Sequence, residues 1–317
     1  MSRLSRRCVE VPTPFEVGSV NAYLLGGVLI DPGPDTEKAR EALVEGLESE
    51  GVGLEGIEAV VITHPHLDHF GLASYVVEES GASVFVHEDA VEAVVDHEAH
   101  YEEERDFFSG LLVEHGMPES TAEYVLRLPS AFLDLAPPVP HDSVVPVSDG
   151  DAFTDASLEA VETPGHCFGS VSPVRDDGVF TGDHLLNHIT PNPTLQKPID
   201  GERRRSVIEY LGSLERVADV GAERAFPGHG EPIDDVCGRA EEVIAHHEDR
   251  ADEFEGLLEE PMTAYELMCE KWHELPATEQ FFGMSETLGH LELLEERDRV
   301  VRHQGGVVRY ERARDGG

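Results

Sequence analysis

Residues 63–72 read THPHLDHFGL and place His64, His66, Asp68 and His69 within six positions of one another. They follow the apolar run 59–62, which is typical of a buried strand. Imidazole nitrogens and carboxylate oxygens bind zinc and related ions at about 2.0–2.2 Å. A regular strand would send alternate side chains to opposite faces, but Pro65 breaks that regularity, so all four can converge. The stretch therefore predicts metal ligands on a loop at the end of a strand.

The same design occurs three more times, with a predicted strand followed by a turn that carries one ligand. His166 lies in PGHC, Asp183 in GDH and His229 in PGHG. Glycine in each turn lets the backbone bend sharply beside an ion. Together with the first stretch, these turns supply five imidazoles and two carboxylates, a set that suits two ions rather than one.

The elements that must position these turns alternate along the chain up to about Pro232. Apolar runs predict strands, and amphipathic or charged runs predict helices, with a charged helical region over 88–128 and a proline-rich irregular stretch over 129–146. The predicted strands are 21–25, 27–30, 59–63, 83–87, 158–163, 170–174, 178–181 and 224–226, and the predicted helices are 37–50, 70–79 and 202–218. This alternation predicts an α/β fold.

The pattern changes after GHGEP, residues 228–232. Helices are predicted over 235–258, 263–272 and 285–297, followed by a hairpin with strands 300–303 and 307–310 around Gly305 and Gly306. Helix, helix and hairpin is the order of a winged helix. We therefore predict two domains, one carrying the metal motifs over 1–240 and a small α+β winged-helix-like domain over 241–317.

Four segments together resemble the ordered motifs of the metallo-β-lactamase superfamily of hydrolases. They are THPHLDH, ETPGHCFGS, FTGDH and FPGHG, and the segment PFEVGSVNAYLLGGVLIDPGP resembles the first strands and DxGP-type turn of that fold. The resemblance covers about residues 11–232. It implies a four-layer αββα sandwich with the site at one edge of the two sheets.

The resemblance also implies a role for each ligand. His64, His66 and His166 would hold a first metal; Asp68, His69 and His229 would hold a second; and Asp183 would bridge both. Asp68 and Asp183 are the catalytic candidates, because a metal-held carboxylate can also move a proton. Two ions sharing a water lower its pKa towards neutrality, and the resulting bridging hydroxide would attack a carbonyl carbon or a phosphorus. Zn²⁺ is the expected metal, and iron or manganese suits the same His/Asp set.

Three further residues near the motifs have weaker claims. His184 and His188 could face substrate or line the mouth of a pocket. Cys167 follows His166, and we interpret it as a small packed side chain rather than as a nucleophile.

The formal net charge is −42, from 65 acidic and 23 basic residues spread along the whole chain. Such a dispersed excess is typical of a surface adapted to a salt-rich cytoplasm, where charges are strongly screened. No apolar run approaches the roughly 20 residues that span a bilayer. The four cysteines lack CxxC spacing, which favours a reducing compartment. We therefore expect a cytoplasmic protein from a halophile that has no membrane partner.

Two functions remain open. Asp183 and the full HxHxDH resemble the glyoxalase II, lactonase and ribonuclease branches, whereas class B β-lactamases usually carry cysteine at a second-metal position. We favour a hydrolase of a small-molecule thioester, ester or lactone, with the C-terminal domain capping the pocket or pairing subunits as a homodimer.

The alternative is an endoribonuclease acting on single-stranded RNA, as in some members of the β-lactamase-like protein 2 group, which the C-terminal segment resembles. Phosphate binding would use clustered arginines. The candidates are Arg203, Arg204, Arg205, Arg297, Arg299, Arg302, Arg309, Arg312 and Arg314. A di-iron redox protein is disfavoured because no flavin domain is apparent.

Overall fold

The computed structural model describes residues 6–154, 158–175, 178–199 and 201–314. The strands are β1 (Arg6–Val11), β2 (Val20–Leu25), β3 (Val28–Ile30), β4 (Ala59–Val61), β5 (Ser83–His87), β6 (Val144–Val147), β7 (Glu159–Glu162), β8 (Val171–Arg175), β9 (Gly178–Gly182), β10 (Ala225–Pro227), β11 (Val300–His303) and β12 (Arg309–Arg312). The α-helices are α1 (Glu37–Ser49), α2 (Leu67–Phe70), α3 (Ala73–Ser80), α4 (Val91–Val95), α5 (His97–Glu114), α6 (Glu119–Arg127), α7 (Ser206–Asp219), α8 (Val236–Leu257), α9 (Ala264–Lys271) and α10 (Ala277–Glu296).

Two mixed sheets form the centre of the molecule. The first has the order β1-β2-β3-β4-β5-β6, antiparallel at β1–β2–β3 and parallel from β3 to β6. The second has the order β10-β9-β8-β7, parallel only between β9 and β10. A separate antiparallel hairpin pairs β11 with β12.

Alternation of side chains along the short strands produces four layers. In β3, Val28 and Ile30 face the core between the two sheets, whereas Leu29 faces the core under α1 and α3. In β9, Phe180 faces the inter-sheet core and Val179 faces the core under α7 and α8. The order of layers is therefore helices, sheet, sheet, helices, which is the predicted αββα arrangement. The apolar runs read as continuous because both faces of these strands are covered.

Several boundaries differ from the sequence prediction. The edge strand β1 was not predicted, because three of its six residues are charged and only Val9 and Val11 are buried. Strand β6 lies within the stretch expected to be irregular. The predicted helix over 70–79 is two helices, α2 and α3, and α10 begins eight residues before its predicted start.

The C-terminal elements have the predicted order of helix, helix and hairpin. Their apolar core also includes side chains from α5 and α6, among them Phe108 and Leu126. The long helix α8 packs against the second sheet at Val243 and against the C-terminal core at Phe254. The division at residue 240 stays a prediction, and its outer bounds at 1 and 317 lie outside the described residues.

A buried histidine pair joins α8 to α10. Nδ1–H of His290 donates to the carbonyl of Glu286 (2.6 Å), so Nε2 of His290 accepts from Nδ1–H of His247 (3.1 Å). Burial lowers the pKa of His247 to about 3 and that of His290 to about 4. Both rings are therefore neutral at ordinary pH. Among the described residues, no helix is both long enough and apolar enough to cross a bilayer.

Candidate metal centre

The turns that follow β3, β4, β7, β9 and β10 meet at one edge of the two sheets. Parallel strands bring their carboxyl ends to the same edge, and Val171 N–H donates to the carbonyl of Thr63 (2.8 Å), which ties the two sheets together there. All seven predicted side chains come together at this edge. They form two groups whose ligand atoms lie within 4.8 Å of one another: His64, His66, His166 and Asp183, then Asp68, His69 and His229.

The first group brings three ring nitrogens together. Nε2 of His64 lies 2.9 Å from Nδ1 of His66, and Nε2 of His166 lies 3.3 Å from the same atom. His166 donates through Nδ1–H to the carbonyl of Asn192 (3.1 Å), which leaves its Nε2 without a proton in the neutral ring. A cation between these nitrogens would be held by lone pairs rather than by N–H groups.

His64 has the same polarity, and this follows from its neighbour Thr63. The Thr63 hydroxyl donates to Oδ2 of Asp31 (2.7 Å), so at 3.0 Å it must accept from Nδ1–H of His64. Nε2 of His64 therefore also carries no proton in the neutral ring, and it faces the other nitrogens of the first group.

In the second group, Nε2 of His69 and Nε2 of His229 would carry no proton in the neutral rings, the form that binds metal. Nδ1–H of His69 donates to Asp31 (2.9 Å), and Nδ1–H of His229 donates to the carbonyl of Ser19 (2.9 Å). Nε2 of His229 lies 3.4 Å from Oδ2 of Asp68. Outer partners that fix the far nitrogen of a ring are typical of metal-binding histidines.

Asp183 lies between the two groups. Its Oδ1 is 3.4 Å from Nε2 of His69 and 3.5 Å from Nε2 of His229, whereas its Oδ2 is 4.0 Å from Nε2 of His166. The two oxygens of one carboxylate therefore face different groups, which is the geometry that a bridging ligand requires.

Buried atoms at this point have no hydrogen-bond partner among the described residues. They are Nε2 of His69, Nε2 of His229 and Oδ1 of Asp183. A buried polar atom left unpaired costs about 1–3 kcal/mol, so three that converge need an explanation. A cation would satisfy all three, and the residues present therefore fit a bound divalent metal.

Glycine leaves room for this arrangement at two turns. A Cβ on Gly228 would lie 2.6 Å from Cε1 of His69 and 2.7 Å from Oδ1 of Asp183. A Cβ on Gly165, which has φ +126°, would lie 2.3 Å from Cα of Tyr210. Any side chain at either position would displace a ligand or the turn that carries one.

Burial and charge set the protonation of the centre. Burial lowers the pKa of His64 and of His166, and it lowers the pKa of His66 to about 3. Burial alone would lower the pKa of His69, but Asp183 and Asp31 raise it. Burial alone would raise the pKa of Asp183, but His69 lowers it. The first group is therefore neutral imidazole, the form that binds metal.

The weaker candidates do not belong to either group of converging ligand atoms among the described residues. His184 is buried against the ring of Tyr210 (5.0 Å between centroids), whereas His188 is exposed beside Gly230. Cys167 is buried in the core beneath α1 and α3, as its interpretation as a packed side chain predicts.

The structure adds residues to which sequence reasoning gave no role. Asp31 accepts from the Thr63 N–H (2.8 Å) and from His69, and it adopts φ +51° in the DPGP turn. Asn21 donates to the carbonyls of Pro227 (3.0 Å) and Gly230 (2.8 Å), which clamps the turn bearing His229. The DxGP motif was the available signal for Asp31; Asn21 had none, because its partners lie more than 200 residues away.

Comparison with known proteins agrees with this geometry. Residues 15–229, more than half of the chain, match the family described as the metallo-beta-lactamase superfamily. The chain is 32% identical to the "Probable metallo-hydrolase YqjP" of Bacillus subtilis, over 95% of this chain and 96% of that protein. It is 26% identical to the "Beta-lactamase-like protein 2 homolog" of Drosophila melanogaster, over 79% of this chain and 73% of that protein.

A solved structure is similar over nearly the whole length. The metallo-beta-lactamase family protein TTHA1429 from Thermus thermophilus superposes with a TM-score of 0.80 at 32% identity, covering 97% of this chain and 98% of that one. With the two-sheet fold and the converging His/Asp set, these similarities show that the chain belongs to the metallo-beta-lactamase superfamily.

Proposed function

We propose that this protein is a binuclear metal-dependent hydrolase that cleaves a small-molecule thioester, ester or lactone. The observation that carries the proposal is the convergence of bare ring nitrogens on both sides of Asp183. Nε2 of His64 and Nε2 of His166, which carry no proton in the neutral rings, lie 2.9 Å and 3.3 Å from Nδ1 of His66, so a cation among these nitrogens would be held by lone pairs.

Each side chain then has a definite task. His64, His66 and His166 would hold the first metal, Asp68, His69 and His229 the second, and Asp183 both. When bound, the two divalent cations would supply Lewis acidity and a water of lowered pKa. Zn²⁺ is the metal we propose, with iron or manganese as alternatives for the same donors.

Asp68 is the proton-moving candidate among these residues. Burial alone would raise the pKa of Asp68, but the neighbouring His69 and His229 lower it, so Asp68 is ionised at neutral pH. An ionised carboxylate at this position can take a proton from the attacking water and hold it until the leaving group departs. Asp183 holds its two oxygens towards the two groups and so fixes their separation.

The arginines invoked for RNA binding bear on the choice of substrate. Eight of them form ion pairs within the chain: Arg203–Glu292, Arg204–Glu209, Arg205–Glu296, Arg297–Glu248, Arg299–Asp252, Arg302–Glu114, Arg309–Glu266 and Arg312–Glu255. A guanidinium that faces a carboxylate offers less charge to a phosphate backbone, and the net charge of −42 repels that backbone further. These pairs favour the small-molecule substrate over single-stranded RNA, which stays the alternative.

The finer assignments of the C-terminal segment and the environment are also proposals. An isolated antiparallel bridge pairs Met262, just before α9, with Tyr310 of β12, so the hairpin lies against the helices as in a winged-helix-like fold. The paired arginines and the acidic surface support adaptation to salt, and the four free cysteines support a reducing cytoplasm.

The test is an activity panel on protein purified at high salt, with metal content measured by mass spectrometry. Thioester, lactone and single-stranded RNA substrates are compared for wild type and for Asp183→Ala. We expect about two metal ions per chain, turnover of a small-molecule substrate, and loss of that turnover in the variant.

Asp234→Ala is the matched control, because its exposed carboxylate pairs only with Arg224 in the described structure and lies outside the centre. Full turnover by Asp183→Ala, or wild-type protein that retains no metal, would overturn the proposal. Cleavage of RNA alone would select the alternative.

A further inference from the structure

We propose that helix α10 of the C-terminal segment positions His166, acting through residues 192–196, with Asn192 and Ser285 as the positioning residues. The inference rests on the proposed function, since it takes His166 to be a ligand of the first metal. The C-terminal segment would then help to orient a ligand of the candidate metal centre.

The loop 192–196 holds His166 at both its ring and its backbone. The carbonyl of Asn192 accepts from Nδ1–H of the ring (3.1 Å), which turns Nε2 towards the first group. The His166 carbonyl accepts from the Thr194 N–H (3.1 Å) and the Thr194 hydroxyl (2.8 Å). Gln196 donates to the carbonyl of the preceding Gly165 (3.2 Å). The ring orientation of His166 therefore depends on where this loop lies.

Helix α10 in turn fixes the loop. The side-chain amide of Asn192 donates to the carbonyl of Phe282 (3.1 Å), and the Leu195 N–H donates to Oγ of Ser285 (3.2 Å). The Ser285 hydroxyl donates to the Phe281 carbonyl (2.9 Å), which orients its oxygen to accept from Leu195. Ser285 is fully buried, so water cannot take its place and losing this hydrogen bond costs free energy.

The anchor is rigid because α10 is buried along most of its length. Residues 283–294 of this helix are buried apart from Glu286, which is partly buried, and the helix packs against α7, α8 and α9. A displacement of the C-terminal helices would therefore be passed to the loop and then to one imidazole.

The second group has different supports. His69 is oriented by Asp31 and His229 by Ser19, both from the N-terminal part of the chain. Cutting the link between α10 and the loop should therefore affect the first metal and leave the second in place. This asymmetry makes the proposal testable without an assay of turnover.

The experiment compares wild type, Asn192→Ala, Ser285→Ala and the double variant N192A/S285A. Asn192→Ala keeps the main-chain carbonyl that meets His166 and removes only the link to α10. Zn²⁺ affinity is measured for each site by titration against a chelator, and Co²⁺ absorption reports the geometry of the first site. We expect the affinity of the first site to fall about 10-fold in the double variant, the low end of the loss for an outer partner because the Asn192 carbonyl itself stays, with the second site unchanged.

Thr287→Val is the matched control. Its hydroxyl donates to the Gly283 carbonyl (2.7 Å) within the same helix, and it makes no contact with the loop among its described hydrogen bonds. We expect both affinities and the Co²⁺ spectrum to stay as in wild type.

Three outcomes would overturn the inference. If the double variant keeps both affinities within about twofold while folded, α10 does not position His166. An equal loss at both sites together with a lowered Tm would indicate general destabilisation instead. If wild type binds no metal, the proposed function fails as well, so the two failures are distinguishable.

Discussion

Oδ2 of Asp31 lies 2.9 Å from Nδ1 of His69, and both side chains are buried. The same carboxylate accepts from both the N–H and the hydroxyl of Thr63, the residue directly before His64. One acid therefore fixes a ring of the second group and the start of the loop that carries the first.

Asp31→Asn should weaken the second metal site most. The asparagine amide keeps the size of the side chain and tolerates φ +51°, but its single carbonyl oxygen cannot accept all three hydrogen bonds. We expect the affinity for the second metal to fall about 10- to 100-fold, measured by competition with a chelator.

Asp35→Asn provides the control, since that carboxylate in the same turn pairs with the exposed Arg40 and with none of the converging side chains among the described contacts. An Asp31→Asn variant that binds both metals as tightly as this control would contradict the role given to Asp31.

Gly165→Ala should destabilise the protein and distort the turn that carries His166. The added methyl group would meet the backbone of Tyr210, and φ +126° is strained for any L side chain. We expect a loss of several kcal/mol in the free energy of unfolding, from denaturant titration. Gly150→Ala separates the two causes, because Gly150 has φ +81° with open space around it. Equal losses in both variants would show that strain alone, without the clash, accounts for the effect.

The sequence could predict which side chains converge at the sheet edge because their signals are local. HxHxDH and three Gly-flanked turns after apolar runs identify seven residues without knowledge of distant contacts, and the inter-sheet core follows from the same runs. Asp31 was missed as a support because its role depends on β3 lying beside β4, which only the folded sheet shows. The start of α10 was missed because the polar run ATEQ and Gly283 weaken the helical pattern; Met268 and Leu275 pack at that glycine. Composition gives the net charge of the chain, but it cannot show which arginine pairs with which distant acid in the folded structure.

Acidification should destabilise the protein through the His247–His290 pair. An unfolded histidine titrates near 6.5, whereas burial lowers the folded pKa values to about 3 and about 4. Between these limits the unfolded state binds more protons, so the stability present above about pH 6.5 is lost as pH falls. The slope approaches about 1.4 kcal/mol per pH unit for each ring. His247→Phe removes one titrating ring and keeps an aromatic side chain against Tyr210, so its stability should fall less steeply from about pH 7 to about pH 4.

Other groups face this pair and titrate or carry charge, among them His246, Arg250 and Glu286. The difference in slope between wild type and His247→Phe isolates the pair from these groups and from the candidate centre. His141→Phe, at an exposed histidine, serves as the control and should keep the wild-type slope. Identical slopes for all three proteins would show that the pair does not control acid stability.

Salt should raise the Tm of this protein strongly. The chain carries 65 acidic and 23 basic residues, so its unpaired surface carboxylates repel one another in the folded state. The screening length shortens from about 10 Å at 0.1 M to about 3 Å at 1 M salt, which removes most of that repulsion. Thermal unfolding followed by circular dichroism across this range should give a Tm that rises with salt.

A variant with Glu41→Gln, Glu45→Gln and Glu48→Gln removes three exposed charges from one face of α1, and its Tm should depend less steeply on salt. If wild type unfolds at the same temperature in low and high salt, repulsion among the acids does not limit its stability, and the proposal of adaptation to high salt loses its physical basis.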